Sequence, residues 1–269
     1  MSNDKVLNKS LSIRIATNGL SFCTYSPEEE KPFEYKKVDV QPTISMAANL
    51  KSALMNEPLL KEQYQRVNVM IATPHTTCVP FEDFEPELAE DIYYFNFPDS
   101  ANTRVSYNIL NNSGIAVVFG IEKNIHQLII DDFPHARFYA ALSTIAEHIR
   151  NAEKANKKNV LYVYLHEREV NLYAFSNGSM LCYNSFPITA IDDCGYYILN
   201  MMQQLKFSQV DDSLRIIGNT GKENELHSKM HSFVKNVKVV DCKEEFRNSI
   251  PGGDSAIPFD LQTLLTCGF

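Results

Sequence analysis

The stretch Leu214–Val240, LRIIGNTGKENELHSKMHSFVKNVKVV, decides how the rest of the chain is read. Leu214, Ile216 and Ile217 form a short apolar run, Gly218-Asn219-Thr220-Gly221 interrupts it, and Leu226, Met230, Phe233 and Val234 then recur at helical spacing. The pattern predicts a strand, a glycine-bracketed loop and a helix carrying those four apolar residues. Backbone N–H groups in such a loop face outward at the positive end of a helix, a geometry that suits anions and nucleotides. Thr220 followed by Glu223 also has the spacing of a capping box, in which loop and helix satisfy each other. This stretch alone leaves both readings open.

Working back from it, a helix after Pro187 and Thr189 places Ile191, Gly195, Ile198, Met202 and Leu205 on one face. Before that helix, Val160–Leu165, Val170–Phe175 and Met180–Phe186 read as a meander, with Asn177-Gly178 at one turn. The same order occurs about 150 residues earlier. Leu11–Thr17, Leu20–Tyr25 and Phe33–Val40 read as strands, and Asn18-Gly19 as a type I′ turn between the first two. A helix with Met46, Leu50 and Leu54 on one face runs to Pro58, and Val67–Ala72 is the next strand. Strand, strand, strand, helix, strand therefore occurs twice, which implies a duplicated α/β unit.

Residues 1–157 are assigned to the first half and 158–269 to the second, with a boundary near Ala155–Asn159. An α/β subdomain over about residues 75–135 is inserted in the first half. There Phe81–Glu90 is acidic and loop-like, Thr103–Leu110 and Gly114–Gly120 look like strands, and Glu122–Asp131 looks helical. Arg137–Lys154 begins as a strand and becomes the helix that links the halves. The tail helix Asp260–Thr266 carries Leu261, Leu264 and Leu265, and is expected to dock because these leucines would otherwise be exposed.

Composition narrows the function classes. With 25 basic and 33 acidic residues the net charge is −8, which disfavours a phosphate-tracking surface for nucleic acid. No apolar run is long enough to insert in a membrane, and the opening MSNDKVLNKS has the features of neither a signal peptide nor an anchor. Six scattered cysteines without a C-x-x-C pair point to a reduced, cytoplasmic protein.

On these elements the chain resembles the superfamily of actin, sugar kinases and actin-like pilus-assembly proteins, which share the ribonuclease H-like fold. Ile216-Ile217-Gly218-Asn219 is similar to that superfamily's adenosine-contacting strand ending in Gly-Gly, with Asn219 in place of the second glycine. VMIATPHTTCVPFEDF, TRVSYNIL and GIAVVFGIEKNIHQLI follow, in order, the first-half insertion of the pilus-assembly and secretion-scaffold branch. The tail Pro258–Phe269 resembles that of an uncharacterised bacterial family with this fold. The resemblance implies a duplicated actin-like ATPase fold, each half a mixed sheet with flanking helices, around a cleft that holds ATP or ADP. It also implies an Asp near the end of each half's first strand, holding hydrated magnesium.

That chemistry is missing from the sequence. Arg14 and Ala16 stand at the expected positions of the first half, Tyr164 and His166 at those of the second, and neither strand contains a carboxylate. Glu167 and Glu169 are the nearby substitutes. The expectation is a non-catalytic actin-like scaffold or binding protein with a degenerate nucleotide cleft, no catalytic or metal-binding residue, no certain cofactor and other proteins as partners. The alternative is a cytoplasmic ATP-binding protein or weak ATPase. Its nucleotide candidates are Gly218, Asn219, Thr220 and Gly221 for backbone approach, Lys222 for phosphate charge, and Asn18 and Gly19 as the first-half loop. A third class, a metal or thiol enzyme, would use His227 with His231, or His75 with Cys78; a solvated helix face and a loop coincidence are the plainer readings. The acidic residues between Glu82 and Asp91 read as a partner-facing surface or a solvated loop, the loop being the plainer reading, and Tyr93, Tyr94, Phe95 and Phe97 as core, of which an exposed part could anchor a partner.

Overall fold

The computed structural model describes residues 8–17, 19–30, 32–166, 168–249, 252–254 and 256–267. The chain opens with the antiparallel meander β1 (Ser10–Ala16), β2 (Gly19–Tyr25) and β3 (Phe33–Val38). Leu11, Ile13 and Ile15 share one buried face, and Ser12, Arg14 and Ala16 on the other face are buried as well. The turn register differs from the sequence expectation. Ala16 pairs with Gly19, so Gly19 is the first residue of β2 rather than a turn residue, and Asn18 lies outside the described residues. The second Asn-Gly behaves as expected: Asn177 and Gly178 have φ of 50° and 74° between paired Ser176 and Ser179.

Helix α1 (Met46–Asn56) starts at Ser45, whose hydroxyl accepts from the Ala48 N–H at 3.2 Å, and it buries Leu50 and Leu54. Strand β4 (Arg66–Ala72) then runs parallel to β1. The insertion follows as β5 (Thr76–Pro80), α2 (Ala89–Asn96), β6 (Thr103–Leu110), β7 (Ile115–Glu122) and α3 (Lys123–Asp132). Its three strands form an antiparallel sheet in the order β5-β7-β6. Thr76–Pro80 is thus a strand, where the sequence had suggested a loop around His75 and Cys78. The acidic stretch is two short 3₁₀ turns leading into α2.

Strand β8 (Arg137–Ala140) pairs with β4 and completes a five-stranded sheet in the order β3-β2-β1-β4-β8. The other edge of β8 is satisfied by one side chain from β6. Asn108 donates to the Phe138 carbonyl at 2.9 Å and accepts from the Ala140 N–H at 2.9 Å, so a carboxamide stands in for a ladder partner.

Helix α4 (Ala141–Glu153) continues directly from β8, as the strand-then-helix expectation had it. The chain divides into two compact units, one through Leu110 and over Gly114–Ser143, the other over Asn111–Ser113 and from Thr144 onward. The second unit repeats the meander as β9 (Asn159–Leu165), β10 (Glu169–Ser176) and β11 (Ser179–Pro187), followed by helix α5 (Ile191–Gln204) and strand β12 (Ser213–Gly218). Asp193 opens α5 by accepting from the N–H groups of Thr189 and Ala190 at 2.8 and 2.9 Å. Helix α6 (Glu223–Met230) and strand β13 (Asn236–Val239) close a sheet in the order β11-β10-β9-β12-β13, the same order as the first.

One face of this sheet carries Leu161, Val163, Leu214 and Ile216 into a core with Ile198, Met202, Leu226 and Met230. Helix α6 stops four residues short of Val234, which is buried, while Phe233 is exposed; the four apolar residues do not share one helix. On the other face, buried Glu153 accepts from the Tyr162 hydroxyl at 2.7 Å and pairs with Arg215 at 3.2 Å. A short α7 (Cys242–Glu245) precedes α8 (Phe259–Thr266), whose Leu261 and Leu264 are buried, so the tail helix docks as expected.

Candidate nucleotide loop

Strands β9 and β12 run parallel, and Gly218 pairs with Leu165, so the loop Gly218–Lys222 leaves the sheet at the carboxyl end of both strands. That end is where open α/β sheets place their ligands. Two glycines shape the loop for different reasons. A Cβ at Gly218 would lie 3.0 Å from the Leu165 carbonyl oxygen and would run into the carboxylate of Glu223. Gly221 has φ of 81°, a left-handed conformation that costs little only without a side chain.

The loop closes on itself. Glu223 is buried, and its Oε1 accepts from the Thr220 N–H at 2.7 Å and from the Thr220 hydroxyl at 2.8 Å. The Lys222 N–H donates in turn to the Thr220 hydroxyl at 3.3 Å. This is half of the expected capping box. The carboxylate reaches back to the Thr220 N–H, but Lys222 and not Thr220 is the cap residue, and Glu223 is the first residue of the helix. An anion therefore already sits at the helix terminus, and the chain itself supplies it. Asn219, Gly221 and Lys222 are exposed around it.

The structure brings Gly218, Asn219, Thr220, Gly221 and Lys222 together in the second unit. Gly19 belongs to the first unit, at the start of β2. At the strand positions where the resemblance implies aspartates, Arg14 is buried in β1 beside Ser21 and Met70. Tyr164 is buried in β9, its ring 4.1 Å from His166 and 5.9 Å from Phe259. His166 accepts a hydrogen bond at Nε2 from the Asn171 Nδ2 amide at 3.2 Å. Glu167 lies outside the described residues, and Glu169 opens β10 opposite Pro187.

His227 and His231 are ring neighbours on α6 and just beyond it, with centroids 5.7 Å apart. Among the described residues no group of three or more His, Cys, Asp and Glu is placed to hold a metal ion. Cys78 is a β5 residue paired with Val117, while His75 packs on Phe97 at 5.2 Å. Burial raises the Cys23 and Cys267 thiols to about 12, far from nucleophilic readiness. The Glu223 closure is the feature that sequence reasoning half found: the Thr220–Glu223 spacing signalled the pair but not the burial of the carboxylate.

The model for a family described as protein of unknown function, DUF3822, matches residues 1–237. A crystal structure from Bacteroides thetaiotaomicron VPI-5482, described as a protein with actin-like ATPase fold and unknown function, is 30% identical, covers 99% of each chain and superposes with a TM-score of 0.86. A PilM-PilN type IV pilus biogenesis complex is similar at 11% identity and a TM-score of 0.54, over 95% of this chain and 97% of that one. No curated protein matches the sequence. The actin-like ATPase fold expected from the sequence is thereby shown.

Proposed function

Because the chain belongs to the DUF3822 family and has the actin-like ATPase fold, we propose that it is a non-catalytic scaffold or binding protein whose nucleotide site is degenerate. The observation that carries this reading is the chemistry of β1 and β9: Arg14 and Tyr164 stand where magnesium-holding carboxylates are implied, and neither strand contains an acid. Phosphoryl transfer depends on metal-borne charge neutralisation, and a buried guanidinium disfavours a divalent cation beside it. Glu223 supports the same reading. A phosphate reaching Thr220 would compete with a tethered carboxylate whose effective concentration is on the order of millimolar or more.

Protein contacts are then the work left to the molecule. The PilM-PilN complex offers a precedent of this fold assembled with another protein. Among the described residues no helix is long and apolar enough to cross a membrane, and all six cysteines are free thiols, in keeping with a cytoplasmic setting. The test is phosphate release from saturating magnesium-ATP. Background rates are expected for wild type and for Glu167→Ala alike; turnover that Glu167→Ala abolishes would overturn the proposal in favour of an ATPase.

A further inference from the structure

The insertion in the first unit presents a surface that the fold does not use. Helix α2 is fixed by its inner face: Tyr93 is buried with Phe84, Ala89, Ala116 and Val118. Gly120 on β7 makes room for it, since a Cβ there would collide with the Tyr93 ring. With Tyr93 inward, helical geometry sends Leu88, Asp91 and Phe95 outward along one stripe. Phe95 is 88% exposed and Leu88 42%, about 10 Å apart along the axis. An exposed phenylalanine of that degree on a well-anchored helix is not explained by packing.

The exposed charge on the segment that carries this stripe is acidic. Glu82, Asp83, Glu85, Glu87, Glu90 and Asp91 are all exposed, and among the described residues none of them forms an ion pair. From Val67 to Thr103 the chain contains no lysine or arginine. A helix face on which exposed Leu88 and Phe95 are interspersed with unpaired carboxylates is complementary to a segment that combines apolar side chains with lysines or arginines. It also repels nucleic acid and anionic lipid.

We propose that the outer face of α2, centred on Leu88 and Phe95, docks a basic amphipathic helical segment of a partner protein. The inference rests on the protein-binding reading above and supplies its surface and the chemistry of its partner. Phe95 and Leu88 anchor the apolar face, and the carboxylates steer association and set its salt dependence.

The probe is a synthetic helix of about five turns with leucines at three- and four-residue spacing and lysines elsewhere, beside a control with glutamates in place of the lysines. Binding to the full chain is measured by fluorescence anisotropy, without nucleotide, at low and high salt. The basic helix is expected to bind and the acidic one not to bind. Phe95→Ser should weaken binding about tenfold or more. Combined Glu87→Gln, Glu90→Gln and Asp91→Asn should weaken it at low salt and flatten the salt dependence. Glu28→Gln with Glu30→Gln, at the exposed β2–β3 connection, should leave it unchanged. Leu88→Ser serves as the second anchor variant if Phe95→Ser does not fold. No binding of the basic helix, equal binding by the anchor variants, or equal weakening by the Glu28 and Glu30 substitutions would overturn the proposal. Phosphate release is read separately, so failure of this surface and failure of the non-catalytic reading are told apart.

Discussion

The two five-stranded sheets share one strand order and differ most in the connection between the fourth and fifth strands. In the first unit residues 76–132 form an inserted sheet and two helices between β4 and β8. In the second, a four-residue loop (219–222) locked by Glu223, one short helix and the segment 231–235 join β12 to β13. The frame is apolar alternation, which many residues satisfy; the connections are where individual polar groups and glycines decide the structure. Divergence of function is expected in the connections, and both candidate surfaces of this molecule are there.

The largest effect tests whether the frames are equivalent. Phe22 in β2 and Leu172 in β10 are both fully buried at matching places in the two meanders. Phe22→Ala and Leu172→Ala should each cost about 3–4 kcal/mol in urea unfolding. A loss under about 1 kcal/mol at one site only would show that the two sheets do not carry comparable shares of stability.

An intermediate effect sharpens the contrast between connections. Gly120→Ala drives a methyl into the buried Tyr93 ring and should cost about 1–3 kcal/mol. Gly19→Ala meets no atom within 4 Å and should cost less than about 0.5 kcal/mol. Equal melting temperatures for the two variants would mean that Tyr93 does not fix α2.

The smallest effect concerns the second unit alone. His148 on α4 lies 2.7 Å from Glu245 on α7, and this hydrogen bond, with Arg215 and Lys238 nearby, holds the Glu245 carboxyl below its ordinary value of 4.5. A carboxyl lowered by folding contributes stability that is present above its unfolded value and lost as pH falls through its folded value. The stability gap between wild type and Glu245→Gln should therefore be open near neutral pH and close below about pH 4.5. A gap that widens on acidification, followed by urea midpoints, would contradict this.

Much of the frame was legible because period-2 and helical patterning are carried by many residues at once. Leu11, Ile13 and Ile15, or Ile198 with Met202, announce their faces without reference to anything distant. What escaped was short or decided by partners. Four-residue β13 followed so closely on α6 that Phe233 and Val234 were drawn into the helix. Thr76–Pro80 looked like a loop because its partner β7 lies about 40 residues away in sequence. The Asn-Gly pair at 177–178 sits in its turn, whereas at 18–19 pairing of Ala16 moves Gly19 into the strand. Within the aromatic run from Tyr93 to Phe97 nothing in the sequence separates core from exposed anchor; helical geometry turns Tyr93 and Phe95, two residues apart, to opposite sides. At the loop, the glycines, Lys222 and the Thr220–Glu223 spacing are visible in sequence, but the burial of the Glu223 carboxylate against Thr220 is not.

The most direct test of the account is thermal unfolding with and without magnesium-ATP, on wild type and on Lys222→Glu. A nucleotide held at about 100 times its dissociation constant stabilises a protein by roughly 2.7 kcal/mol, which for a chain of this size is a shift of about 5 °C or more. The account predicts superimposable curves for both proteins in all conditions. A shift of that size in wild type that Lys222→Glu removes would establish a working nucleotide site and contradict the degenerate reading.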